Sequence, residues 1–176
     1  GWSWFADKGA TIYGTPMNLS ALAFNILMGI SGGIIGAWIF TRDPFWMMSG
    51  ALAGIISVAS GLDLYFPAIT FIVAFVAGLI LKPAASILES LGIDDAVGAV
   101  TVHGTIGLYG VIALGIFGAG YPALQGAAGE VATISFLGQV VGAAVFALVG
   151  FIPGYVVSLL LSGLGMLRTP EPAELA

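Results

Sequence analysis

The chain has 176 residues, of which 59% are hydrophobic and only 7% are charged, and its mean hydropathy is +1.10. A soluble domain carries about 25% charged residues, so four Lys plus Arg and nine Asp plus Glu cannot cover a water-facing globule. The composition excludes a soluble enzyme, and a net charge of −5 without a basic cluster argues against nucleic-acid binding.

The chain divides into apolar stretches long enough to cross a membrane. A span needs about 20 apolar residues. Charges and Pro/Gly clusters separate the stretches 17–41, 45–62, 67–88, 96–118 and 131–163. The last contains Phe151-Ile152-Pro153-Gly154, which predicts a strong tilt or a kink. We therefore predict an all-α fold, a polytopic transmembrane bundle with five spans, in which residues 1–16 form a preceding helix end or an interfacial segment.

The few basic residues predict an orientation. With five spans, Arg42, Lys82 and Arg168 fall on one side of the membrane and Lys8 on the other. The positive-inside rule then places the C-terminus in the cytoplasm and residues 1–16 outside. We expect one transmembrane domain over residues 1–168, a short cytoplasmic tail over 169–176, and a location in a bacterial inner membrane.

Polar residues at membrane depth are costly and are therefore candidate functional residues. His103 lies in the fourth stretch, and helical spacing places Gly107 and Gly110 on its face. The imidazole either lines a lumen or forms a hydrogen bond between two spans. We predict that this face packs against a partner. Helix packing through small residues is expected at Gly104, Gly107 and Gly110, and at the GxxxG pair Gly50 and Gly54.

Other polar groups favour structural roles. Asn18 and Asn25 share a face of the first span, where interhelical or capping hydrogen bonds are a better interpretation than substrate contact, although Asn25 remains a candidate pore residue. Asp94 and Asp95 precede the fourth span and are expected to cap its N-terminus. One histidine, no cysteine and no carboxylate at helical spacing from His103 make no metal ligand set. We predict no cofactor and no enzymatic activity.

Specific strings carry a family resemblance. The segment from Ile93-Asp94-Asp95 through Val102-His103-Gly104-Thr105-Ile106-Gly107 closely resembles the signature around the second pore histidine of the ammonium transporter (Amt/Rh) family. Other landmarks resemble that family in the same order: Gly1-Trp2-Ser3-Trp4-Phe5, Met17-Asn18 with Ala23-Phe24-Asn25, Ser49-Gly50-Ala51-Leu52-Ala53-Gly54, and Gly165-Met166-Leu167-Arg168. The resemblance covers essentially the whole chain.

The resemblance implies a function and a set of site residues. The chain is similar to the second half of such a transporter, from the end of its sixth helix through its eleventh, which is one of two inverted repeats plus a long last helix. Family members form homotrimers with one pore in each protomer. By resemblance, Phe5 is a gate phenylalanine, Trp2 a vestibule aromatic and His103 a pore histidine. The implied partners are ammonium or ammonia, a complementary five-helix half or other membrane subunits, and lipids.

The departures from the family pattern leave two functions open. The first repeat and its pore histidine are missing, and Ala6-Asp7-Lys8-Gly9 stands where the family has Asn-x-Gly-Ser. One hypothesis is ammonium transport as the C-terminal half of a pore completed by another half. The alternative is a non-transporting structural subunit of a larger membrane complex. A small unrelated channel that oligomerises around His103 fits the ordered strings poorly.

Overall fold

A computed structural model describes residues 18–121 and 133–167, and helices dominate both ranges. Trp2, Phe5 and the tail 169–176 lie outside the described residues. In chain order the elements are α1 (Leu19–Thr41), α2 (Pro44–Val58), α3 (Pro67–Ser90), a π-helix (Val100–Thr105) that continues into α4 (Ile106–Phe117), and α5 (Phe136–Gly163). The chain separates into two compact units, residues 1–140 and 141–176, and α5 runs across the boundary.

Local sequence sets the ends of the first helices. Asn18 caps α1, because its Oδ1 accepts a hydrogen bond of 2.8 Å from the Ala21 amide. Arg42 ends α1 in the left-handed conformation at φ 55°. One residue later Asp43 caps α2 by accepting from the Phe45 amide at 2.8 Å, and Pro44 occupies the first helical position, where no backbone N–H is needed.

Helices α1, α2 and α3 pack through glycine. Gly33 of α1 lies so close to α2 that a Cβ on it would overlap the Gly50 carbonyl oxygen, and a Cβ on Gly50 would lie 2.7 Å from the Gly33 oxygen. A Cβ on Gly54 would likewise overlap the Gly29 carbonyl oxygen, and a Cβ on Gly78 of α3 would overlap the Gly33 carbonyl oxygen. Because any side chain at these points would meet backbone, the three helices can approach this closely only with glycine.

The connection between α2 and α3 contributes to a buried core. This core lies at the end of α1 opposite to Arg42. Leu62 and Tyr65 of this connection are fully buried, in one cluster with Leu22 and Val73. Asn25 is 1% exposed, and its Nδ2 donates to the carbonyl oxygens of Leu62 at 2.9 Å and Tyr65 at 2.8 Å. The buried amide therefore ties the irregular connection to α1 and satisfies carbonyl groups that no helix ladder pairs.

The outer surface of the bundle is apolar. Large side chains of the first compact unit such as Met48, Leu52 and Ile116 are 75%, 58% and 59% exposed. Four helical segments in the described residues are long and apolar enough to cross a membrane: Leu19–Thr41, Pro67–Ser90, Val100–Phe117 and Phe136–Gly163. The second predicted span is the shorter apolar helix Pro44–Val58. The prediction of an all-α, polytopic membrane bundle is confirmed.

Candidate functional site

His103 lies in a π-helical turn. Residues Val100–Thr105 form i to i+5 hydrogen bonds, after which the chain returns to α-helix at Ile106. A π-helical segment is rare, widens the turn and is frequent at functional sites. Helical spacing alone predicts a regular α-helix through this region, so the widened turn is a feature that sequence periodicity missed.

Asp95 holds the start of this turn. Its Oδ1 accepts from the Val100 amide at 2.9 Å, and its Oδ2 accepts from the Thr101 amide at 2.8 Å and from the Thr101 hydroxyl at 2.7 Å. Thr101 is fully buried, so its two donors depend on this carboxylate. Asp95 thereby fixes the two residues that lie two and three positions before His103.

The same hydrogen bonds shift the acidity of Asp95. Burial acts to raise its pKa, but the hydrogen bonds from Thr101, Val100 and Ala99 outweigh burial and lower the pKa below the ordinary value of 3.8. The charged carboxylate is therefore the form that the fold favours. The neighbouring Asp94 is exposed, and the structure gives it no comparable role at the helix start.

Burial changes along the helix that carries His103. His103 is exposed, Gly107 is half-buried and Gly110 is buried. Of the three residues predicted to share one packed face, Gly110 is packed against α2 and His103 is exposed in the described chain. Thr101, Val102 and Ile106 are buried, so this end of the helix also packs in the bundle, while His103 is exposed.

The contact with α2 is made at Gly110. A Cβ on Gly110 would overlap the Ser57 carbonyl oxygen, and the Ser60 hydroxyl donates to the Gly110 carbonyl oxygen at 3.0 Å. A Cβ on Gly107 would lie 4.0 Å from Ile56 Cγ2, which is ordinary contact, and one on Gly104 would meet only Val100 at 3.8 Å. Of the three glycines singled out on this helix, Gly110 is the one at a close backbone approach.

Tyr109 adds a contact to α3 that the sequence did not single out. Its hydroxyl donates to the Val73 carbonyl oxygen at 3.1 Å, and its ring packs on the cores formed with both α2 and α3. Together with Gly110 it fixes the middle of α4 against the other helices. His103, on the π-helix that precedes α4, is exposed, whereas its neighbours Thr101 and Val102 are buried.

Asn25 is buried inside the bundle. Both of its amide hydrogens are used on the α2–α3 connection, and its Oδ1 is buried without a hydrogen-bond partner in the described chain. This geometry gives Asn25 an interhelical role, and its assignment to a pore stays a prediction. Within residues 18–121 and 133–167, no group of three or more His, Asp or Glu side chains could hold a metal ion.

Taken together, the apolar surface, the long apolar helices and the glycine-packed interior define an integral membrane protein of the polytopic helical class. Its one histidine sits on a widened helical turn held by a capping carboxylate. The model of the Ammonium Transporter Family matches residues 4–176, and the chain belongs to this family.

Relatives of known name agree with that assignment. Ammonium transporter Amt1 of Methanocaldococcus jannaschii is 37% identical over 180 residues, which cover 99% of this chain and 44% of the relative. Ammonium transporter Amt2 of the same organism is 36% identical over 149 residues, covering 84% and 34%. Ammonium transporter Amt1 of Haloferax mediterranei is 29% identical over 154 residues, covering 80% and 29%. The chain thus spans less than half the length of these curated relatives.

Proposed function

We propose that this chain forms one wall of an ammonium-conducting pore and that His103 lines that pore. The observation that carries the proposal is the placement of the chain's one histidine: it is exposed on an apolar helix, in a widened turn that Asp95 holds in position. An ionisable group exposed to hydrocarbon is costly, so an exposed intramembrane imidazole requires a protein-lined cavity beside it.

The chemistry of such a pore follows from its lining. Apolar walls cannot replace the hydration shell of Na⁺ or K⁺, so these ions are rejected. Ammonium that releases its proton to water at the pore entrance crosses as ammonia, which is neutral and forms a hydrogen bond with an imidazole nitrogen. In this scheme His103 provides the polar contact within the apolar passage and is a binding residue for the permeating molecule.

A pore needs a second wall. His103 is exposed in this chain, and the chain covers 44% of the Methanocaldococcus jannaschii transporter Amt1. We propose that a complementary set of helices, from the same or a separate polypeptide, packs against the surface that bears His103 and encloses the imidazole. Assembly as a homotrimer, a cytoplasmic C-terminus and placement in a bacterial inner membrane remain predictions from the sequence.

The test is ammonium flux through the assembled protein. The full chain is isolated with the polypeptides that assemble with it and is reconstituted into lipid vesicles, and uptake of ammonium and methylammonium is measured. His103→Leu removes the hydrogen-bonding nitrogens and is expected to change the flux by about tenfold or more. His103→Gln keeps a hydrogen-bonding side chain without a titrating group and separates the two properties. Ile116→Ala, at a position of α4 that is 59% exposed on the bundle surface, is the matched control and is expected to leave the flux unchanged.

The alternative function is a structural subunit that does not transport. The sequence Ala6-Asp7-Lys8-Gly9 favours this alternative, because Lys8 would place a positive charge where the cation is recruited. If the assembled protein shows no ammonium flux above empty vesicles, or if His103→Leu and the unaltered chain conduct equally, the pore role is wrong. A stable complex without flux would then support the structural role.

A further inference from the structure

The helix that carries His103 contains one residue more than a regular α-helix would. Before the histidine, the Val102 amide donates to the Gly98 carbonyl oxygen, four residues back, at 2.8 Å. After the histidine, the Ile106 amide donates to the Thr101 carbonyl oxygen, five residues back. The change from four to five means that the π-helical turn takes up one additional residue between Gly98 and Ile106.

The burial of this turn differs from that of a regular helix. Ile106 is fully buried and marks the direction of the core. At about 100° per residue, Thr101 would lie about 140° around the axis from Ile106, on the outward side, and His103 only about 60° from it. The structure shows the reverse order, because Thr101 is fully buried and His103 is exposed. A turn closed by i to i+5 hydrogen bonds holds more residues, so each rotates by less, which carries Thr101 toward the core and His103 away from it.

The helix is fixed on both sides of the histidine. On the N-terminal side, the Asp95 carboxylate accepts from the Thr101 amide at 2.8 Å and from the Thr101 hydroxyl at 2.7 Å. On the C-terminal side, Gly110 lies so close to α2 that a Cβ on it would overlap the Ser57 carbonyl oxygen. The direction of His103 therefore depends on how many residues separate these two fixed points.

We propose that the additional residue of the π turn directs His103 out of the bundle. In a regular helix the imidazole would point within about 20° of the direction of Gly110, seven residues further on, which faces the backbone of α2. The turn acts through His103 and is a positioning element. Its functional consequence, that the imidazole is held on the pore side, rests on the function proposed above, whereas the direction of the side chain is tested without it.

The first experiment compares two positions in a chain of unchanged length. The chain has no cysteine, so Thr101→Cys and His103→Cys each introduce one thiol. A buried thiol reacts only when the structure opens locally, so N-ethylmaleimide should label His103→Cys about tenfold or more faster than Thr101→Cys in detergent micelles. A regular α-helix predicts the opposite order. Equal rates, or faster labelling of Thr101→Cys, would overturn the proposal.

Two single-residue deletions test the role of the additional residue. Deletion of Val102 and deletion of Gly104 each shorten the segment between Thr101 and Ile106 by one residue, and both restore α-helical spacing. Without Val102, His103 still stands three residues before Ile106 and turns to about 60° from it, toward the core. Without Gly104, His103 stands two residues before Ile106, about 160° from it, and stays outward. The two variants are matched in length and differ in the direction of the imidazole.

Modification of the imidazole by diethyl pyrocarbonate is the readout. The chain has one histidine, so with a purification tag that lacks histidine the reaction reports on position 103 alone. Deletion of Val102 should slow the modification about tenfold or more, and deletion of Gly104 should leave it within about twofold of the unaltered chain. Circular dichroism and gel filtration check that both variants fold. Equal rates in the two folded variants would contradict the assignment, and if deletion of Val102 prevents folding, the cysteine comparison decides.

Ammonium flux through the assembled protein separates this inference from the proposed function. If labelling follows the expected order but His103→Leu leaves the flux unchanged, the turn directs His103 outward and the pore role is wrong. If labelling contradicts the expected order while His103→Leu changes the flux, the pore role stands and the positioning role of the turn is wrong.

Discussion

The hydrogen bonds of Asp95 give a stability prediction whose magnitude follows from the structure. Asp95→Ala removes the acceptor of the Val100 amide, the Thr101 amide and the Thr101 hydroxyl. Val100 is 46% exposed, so water can replace the carboxylate there, whereas Thr101 is fully buried and loses both partners. Each buried donor left unpaired costs about 1 to 3 kcal/mol, and a lost cap costs about 0.5 to 2 kcal/mol. Two buried donors and a cap together predict a loss of at least about 2.5 kcal/mol in the free energy of unfolding.

The adjacent carboxylate is the matched control. Asp94→Ala changes the net charge by the same amount at the same end of the helix, and Asp94 is exposed. We expect its effect to be below about 0.5 kcal/mol, as for other surface substitutions. The assay is unfolding of the full chain in mixed micelles by increasing dodecyl sulfate, followed by circular dichroism. If the two variants lose the same stability, the effect is one of general charge and the capping explanation is wrong.

The pH dependence tests the same hydrogen bonds by another route. The pKa of Asp95 is held below 3.8 in the folded chain by hydrogen bonds to its charged form. A carboxyl whose folded-state pKa is lowered stabilises the fold fully above its unfolded-state pKa and loses that contribution as the pH falls through the folded-state value. The stability difference between the unaltered chain and Asp95→Ala should therefore be constant from pH 7 to about 5 and should shrink below 3.8. A difference that instead grows on acidification would contradict the direction of the shift.

Three more substitutions test the packing of the bundle. Gly110→Ala should cost about 2 kcal/mol in the free energy of unfolding, because its Cβ meets the Ser57 backbone, which cannot rotate away as a side chain can. Gly107→Ala on the same helix has ordinary contact at 4.0 Å and should be neutral or slightly stabilising, so equal losses in the dodecyl sulfate assay would contradict the packing assignment. Asn25→Leu should cost about 3 kcal/mol, since it leaves the Leu62 and Tyr65 carbonyls without their buried donor. Unchanged protection of the α2–α3 connection from hydrogen exchange in this variant would show that the amide is dispensable.

The sequence predicted the helical architecture well because its signals are strong. Membrane depth requires long apolar runs, and charges or prolines must separate them, so the helix bounds Leu19–Thr41 and Pro67–Ser90 lie close to the stretches 17–41 and 67–88. The shortness of α2, which ends at Val58, was not foreseen. The four residues that follow it, from Ala59 to Leu62, are apolar or small, and composition does not distinguish a buried turn from a further helical turn.

The sequence predicted the geometry around His103 less well. Periodicity assumes 100° per residue, so it cannot anticipate a π-helical turn such as Val100–Thr105. Glycine contacts were predicted at Gly50 and Gly54 from their spacing, but their partners Gly29 and Gly33 on α1 follow from the three-dimensional packing. Which glycine of a run meets another backbone depends on where two helices cross, and one sequence does not contain that information.

The most direct test of the account asks what surrounds position 103 in the assembled protein. The chain contains no cysteine, so His103→Cys and Ile116→Cys each give a single site for a nitroxide spin label in lipid bilayers. Molecular oxygen partitions into hydrocarbon, and its collisions with the label measure exposure to lipid. We predict a much lower collision rate at position 103, enclosed by protein, than at position 116, where the side chain is 59% exposed on the bundle surface. Equal rates at the two positions would place residue 103 against acyl chains and contradict a pore at this histidine.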